Sequence, residues 1–194
     1  SGNPVHSLAD SPRMREALAA LECVVVIDVA MTETAQCADF VLPAASQYEK
    51  CEATFFGGGF PDAVFPPRQP VLEPLPGTRA EPEIHTLLVR ELGALDGFDP
   101  APLQKAAEEG LDVFQVALQK TLEDMPSLLP LLPAVLYETL GPVLGPGREG
   151  AALIWMLAQN MATTHPEAVR AAGHVGEGAE LGNALFRAIL EDPH

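Results

Sequence analysis

Asp28 is the residue of this chain best placed to do chemistry. It ends the apolar run Cys23-Val24-Val25-Val26-Ile27 and precedes Met31-Thr32-Glu33-Thr34. A carboxylate at a strand end can accept two N–H groups from the edge of a purine such as guanine. It can equally cap the turn that follows. Thr32 and Thr34 offer hydroxyls as helix caps or as ligand groups. Gly2 and Asn3 form a second polar turn, whose exposed amides can meet a phosphate or a ring edge, or which is an ordinary Asn-Pro turn. Glu49 is a further acidic candidate, seven residues past Leu42. Asp39 is read as solvating the entrance of its strand and Ser7 as capping a turn.

The elements that would position these groups can be read from patterning. Val24–Ile27 is short, β-branched and continuous, as for a strand buried on both faces of a parallel sheet. Ligands of open α/β sheets bind at the carboxyl ends of such strands. Met31–Ala38 is read as one or two helical turns and Phe40-Val41-Leu42 as the next strand, ending at Pro43. That spacing is tight for a full crossover helix. Ser11–Leu21 is a helix capped by Asp10 or Ser11, with Pro12 in its first turn and Met14, Leu18 and Leu21 on its apolar face. Ala44–Glu52 is expected to be another short helix capped by Ser46.

The string from Asp28 to Pro43 fits D-x-x-x-T-x-T-A-x-x-A-D-x-V-L-P. It resembles the signature of the molybdopterin oxidoreductases, the superfamily of dimethyl-sulfoxide reductase, formate dehydrogenase and periplasmic nitrate reductase. Gly2-Asn3-Pro4-Val5-His6-Ser7 is similar to the family's G-x-N-P loop, with Gly2 and Asn3 adjacent here. Glu49-Lys50 is similar to its acid after the L-P. The three pieces agree over roughly the first 55 residues and more loosely to about Leu95. The family's glycine, asparagine and E-G-R after that acid have no counterpart in Ala53–Pro61, where Gly57–Gly59 is read as a plain loop or as a flexible turn near ligand.

The resemblance implies that Asp28 and Thr32 hold the guanosine end of a molybdopterin guanine dinucleotide carrying molybdenum. Asn3, Gly2, Thr34 and Glu49 are the further cofactor-binding candidates. In the family the metal ligand, and any iron–sulfur cluster, precede the G-x-N-P loop. No catalytic or metal-ligating residue is assigned here, and Cys23, Cys37 and Cys51 are not offered as ligands. The turn at Ser1-Gly2-Asn3-Pro4 has no strand before it, so the chain is expected to start inside a domain of a longer polypeptide, with any targeting signal outside it.

Composition narrows the classes. The 194 residues carry a formal net charge of −16, which disfavours nucleic acid and anionic membrane as partners. Three cysteines at fourteen-residue spacing fit neither a zinc site, a cluster nor a disulfide framework; reduced thiols and a cytoplasmic setting are expected. There is no G-x-G-x-x-G or P-loop, so a separate nucleotide-binding enzyme ranks last.

After a proline-rich extended segment, Phe65–Pro76, a helix is expected over Ala80–Leu92, with Ile84, Leu87, Leu88 and Leu92 on its apolar face, His85 on or beside it and Gly93 as its stop. Helices are then expected over 102–109, 112–123, 127–140, 150–164, 166–172 and 180–191. Leu128–Leu144 is interrupted by Glu138 and prolines and reads as core, not as a membrane span.

The fold class is α/β: part of a doubly wound parallel sheet over 1–95, then a mostly helical region over 96–194. The function expected is a piece of the catalytic subunit of a molybdenum-dependent oxidoreductase. It would be inactive alone and completed by the rest of its polypeptide and by an electron-transfer partner. The alternative is a non-catalytic α/β interaction module derived from that fold. An unpaired sheet edge would invite self-association.

Overall fold

The computed structural model describes residues 2–53 and 67–191. The chain is α/β, a small parallel strand pair with helices followed by a helical region. Asn3 starts the short helix α1 (Pro4–Ser7), where Ser7 N–H bonds Asn3 O at 2.9 Å, so the turn closes as helix. Helix α2 (Ser11–Ala19) is capped by Asp10, whose Oδ1 accepts from Arg13 N–H at 3.2 Å. None of its residues is buried, so the expected apolar face of Met14, Leu18 and Leu21 lies uncovered or half-covered.

Strand β1 (Val25–Asp28) pairs in parallel with β2 (Phe40–Pro43), Val25 opposite Phe40 and Asp28 opposite Pro43. Eleven residues join them, with a single 3-10 turn at Ala35–Cys37 in place of a crossover helix. Val24 is buried, but Val25 is 50% and Phe40 62% exposed. The expectation of burial on both faces fails because no described element covers that side of the pair.

Ala44–Glu52 is not a helix but a turn. Glu49 folds back on Ser46 N–H, and Cys51 N–H bonds Gly147 O at 3.1 Å, drawing the chain out toward β3 (Glu52–Ala53). That strand pairs antiparallel with β4 (Pro67–Arg68). Thr54 to Pro66, with the Gly57–Gly59 run, lie outside the described residues.

Helix α3 (Glu81–Glu91) ends at Gly93, φ +70°, where glycine takes the left-handed conformation without a Cβ clash. Its buried residues are Ile84 and Thr86; Leu87, Leu88 and Leu92 are exposed, and His85 is exposed too. Arg90 bonds Glu138 through Nε at 2.7 Å and Nη2 at 2.5 Å, tying α3 to the helices beyond.

Those are α4 (Ala101–Glu109), α5 (Leu111–Asp124), α6 (Leu132–Thr139), α7 (Ala152–Thr164), α8 (Pro166–Ala171) and α9 (Gly178–Glu191). Their core is built on Phe114, Leu128, Val135, Leu136, Trp155 and Phe186, and it takes in Cys51 and Leu95 from the first part of the chain. Phe114 and Trp155 meet edge to face, centroids 5.4 Å apart. Pro126–Leu144, 19 residues of mean hydropathy 1.4, has the length and composition of a candidate span. Prolines divide it into 3-10, α and 3-10 pieces, and Leu128, Val135, Leu136 and Leu140 are in the core.

Candidate functional site

The parallel pairing puts Asp28 at the carboxyl end of β1, where the backbone leaves the sheet. Its Oδ1 accepts from Val29 N–H at 2.8 Å and its Oδ2 from the Thr32 hydroxyl at 3.1 Å. Thr32 Oγ1 in turn accepts from Ala35 N–H at 3.3 Å, which ties the first residue of the 3-10 turn to the rim. The rim loop is therefore organised on this carboxylate. A carboxylate offers about four lone-pair positions; two are occupied here, and the residue is only 6% exposed. Val29 and Met31 stand out beside it as exposed apolar side chains.

The loop at Asn3 packs against the same turn. Asn3 Oδ1 accepts from Thr34 N–H at 3.2 Å and from the Thr34 hydroxyl at 2.7 Å. Thr34 Oγ1 accepts from Val5 N–H at 3.1 Å, and Asn3 Nδ2 donates to Glu33 Oε2 at 2.5 Å. The two threonines have different duties: Thr32 bonds the carboxylate and Thr34 joins the two loops. A Cβ on Gly2 would meet no heavy atom within 4 Å, so there is open space at that turn.

Asp28, Thr32, Thr34, Asn3 and Gly2 thus gather in one cluster of two loops. Glu49 stands apart. Its Oε2 accepts from Ser46 N–H at 2.6 Å and its Oε1 from Leu75 N–H at 2.9 Å, fastening the turn after β2 to the extended segment before α3. Those amide bonds, Ser46 foremost, hold the Glu49 carboxyl below its ordinary value. Glu49 also lines a cavity of about 300 Å³ with Lys50, Cys51, Arg79 and Tyr137. Burial pushes the Tyr137 phenol up to about 12, and it raises the Cys51 thiol as well.

Glu33 is the residue the sequence did not single out. It fixes the Asn3 amide, and that bond, ahead of its own backbone N–H, lowers its pKa below the usual glutamate value. Its position between the two threonines was the available signal. Asp39 accepts from Val24 N–H at 2.7 Å, which closes the entrance of the strand pair, close to the role read for it. Among the described residues no group of three or more His, Cys, Asp or Glu side chains could hold a metal ion.

Known proteins match the part of the chain that carries these loops. A family model described as molybdopterin oxidoreductase matches residues 1–88. The chain is 34% identical over 91 residues to a trimethylamine-N-oxide reductase of Vibrio cholerae, covering 47% of this chain and 11% of that protein. It is 42% identical over 55 residues to a trimethylamine-N-oxide reductase of Vibrio vulnificus strain YJ016, covering 28% of this chain and 7% of that protein. The chain thus spans about a tenth of the length of these curated relatives. No solved structure matches. Residues 1–88, which carry the whole two-loop cluster, are thus similar to the molybdopterin oxidoreductase family.

Proposed function

We propose that this chain is part of a molybdenum-dependent oxidoreductase and that its first 95 residues supply one wall of the site for the guanosine end of molybdopterin guanine dinucleotide. The observation that carries this reading is the Asp28 carboxylate at the carboxyl end of a parallel strand, bonded to Thr32. Its unused lone pairs suit the adjacent N–H donors of a guanine edge. The open space at Gly2 suits a polar group approaching backbone amides.

In this reading Asp28 binds the base. Thr32 orients the carboxylate and turns its hydroxyl from Oδ2 toward the ligand when the base enters. Asn3, Thr34 and Glu33 position the loop, because their side chains are bonded to one another. The bound cofactor would supply the redox chemistry, while protein groups bind and orient it. The residues that touch the metal, any iron–sulfur cluster and the electron partner belong to the rest of the polypeptide and its complex. The isolated chain therefore has no turnover.

The test uses the full polypeptide purified with its cofactor. Acid hydrolysis should release guanosine monophosphate in proportion to molybdenum, and Asp28→Ala should lower both. Full retention of nucleotide and metal in that variant would contradict the reading.

A second reading, a non-catalytic interaction module derived from this fold, is favoured by one observation. Both oxygens of Asp28 and both of Glu49 already accept from the chain's own donors. A natively purified polypeptide free of molybdenum and pterin would select it.

A further inference from the structure

Glu33 has one carboxylate oxygen to spare. Its Oε2 accepts from Asn3 Nδ2 at 2.5 Å. Its Oε1 accepts from no other residue among those described; His6 Nδ1 stands 3.9 Å away, beyond hydrogen-bond reach. The Asn3 bond, ahead of the Glu33 backbone N–H, holds the carboxyl below its ordinary pKa, so it is charged at neutral pH. The same bond orients it. Glu33 is therefore a fixed, half-buried anion with a free acceptor, facing an imidazole across a narrow gap.

The order of contacts along the two loops matters. Asp28, read above as the base contact, bonds the Thr32 hydroxyl. Thr32 precedes Glu33 in the chain, and Glu33 bonds Asn3 of the first loop. The Gly2–Asn3 turn, the candidate for a phosphate, comes next. A nucleotide has the order base, ribose, phosphate, so Glu33 and His6 fall where the ribose belongs. Each ribose hydroxyl can donate and accept, which suits a carboxylate oxygen and a ring nitrogen side by side. Other dinucleotide-binding α/β sheets also hold a ribose hydroxyl on an acidic side chain.

We propose that Glu33 and His6 bind the ribose of the guanosine whose base meets Asp28. Glu33 Oε1 accepts from one of the two neighbouring ribose hydroxyls, and His6 Nδ1 bonds the other. The inference rests on the reading of Asp28 as the base contact and adds a sugar contact to it. Glu33 then does two things at once: one oxygen fastens the loops together and the other holds ligand.

The test compares guanosine monophosphate with its 2′,3′-dideoxy analogue. Each is titrated into the 194-residue chain while the Val29 and Thr32 amides are followed by heteronuclear NMR. The dideoxy nucleotide should produce the same Asp28-dependent shifts but bind about tenfold more weakly, as the loss of a hydrogen bond to a charged group implies. In Glu33→Gln, whose amide oxygen can still accept from Asn3, the two nucleotides should bind alike. Should that variant loosen the loops, His6→Ala serves in its place and should narrow the difference. Shifts with neither nucleotide would remove the base contact, and this inference with it. Asp28-dependent shifts with equal affinity for both nucleotides would remove the ribose contact alone. So would a native preference that a folded Glu33→Gln or His6→Ala chain keeps in full.

Discussion

Thr34 donates its hydroxyl to the side-chain oxygen of Asn3 at 2.7 Å, across thirty-one residues of chain. With the Thr34 N–H on the same oxygen and Val5 N–H on the Thr34 hydroxyl, this contact locks the first loop onto the rim of the strand pair. Thr34 is buried, so its groups have no water to turn to when Asn3 is lost. Asn3→Ala should cost about 2 kcal/mol of unfolding free energy, measured by urea titration. Gly2→Ala, where a Cβ meets nothing, should cost little.

Acid should loosen the same loops. Hydrogen bonds lower the folded-state pKa of Glu33, through Asn3, and of Glu49, through Ser46, from the ordinary 4.5. Their contribution is therefore complete above that value and is lost as pH falls through the lowered folded values. Urea midpoints should drop below pH 4.5 for the native chain, and less steeply for the double variant Glu33→Gln with Glu49→Gln. Equal slopes would remove these two carboxylates from the account.

The helical region holds a hydrogen-bonded polar hub in its core. Asn183 is fully buried; its Oδ1 accepts from Trp155 Nε1 at 2.8 Å and Gln159 Nε2 at 2.7 Å, and its Nδ2 donates to Asp112 Oδ1 at 2.7 Å. Asn183→Ala strands the indole N–H inside the core and should cost about 3 kcal/mol. Trp155 is the chain's single tryptophan, so its emission follows the transition directly.

The thiols should separate by reactivity. Cys23 is exposed, Cys37 half-buried and Cys51 buried, with burial foremost in raising the Cys51 thiol. Alkylation at mildly alkaline pH, followed by mass spectrometry, should label Cys23 first and Cys51 last. Unfolding in urea should equalise the three.

The β1–β2 unit was legible because it is local: a β-branched run, a terminal acid and a proline stop lie within about twenty residues. The helices after Pro100 were legible for the same reason, each bounded by proline or glycine at its ends. The turn at Ala44–Glu52 was not, since Leu75 and Gly147, far along the chain, decide it through bonds to Glu49 and Cys51. Periodicity marked Leu87, Leu88 and Leu92 as one apolar face, but it carries no information on whether anything packs there; Leu92 is 81% exposed. At the site, sequence placed Asp28 and Thr32 together. It could not divide the roles of Thr32 and Thr34, because that division depends on Asn3 arriving from the other loop.

The most direct measurement follows the amide signals of Val29 and Thr32 by heteronuclear NMR while guanosine monophosphate is added to the chain, with adenosine monophosphate as control. Both residues flank the Asp28 carboxylate, Val29 bonded to one oxygen through its N–H and Thr32 to the other through its hydroxyl. Shifts at these two amides with the guanine nucleotide, small with adenine and gone in Asp28→Ala, are the predicted result. Equal shifts with either base, or shifts that survive the substitution, would contradict a guanine contact at Asp28.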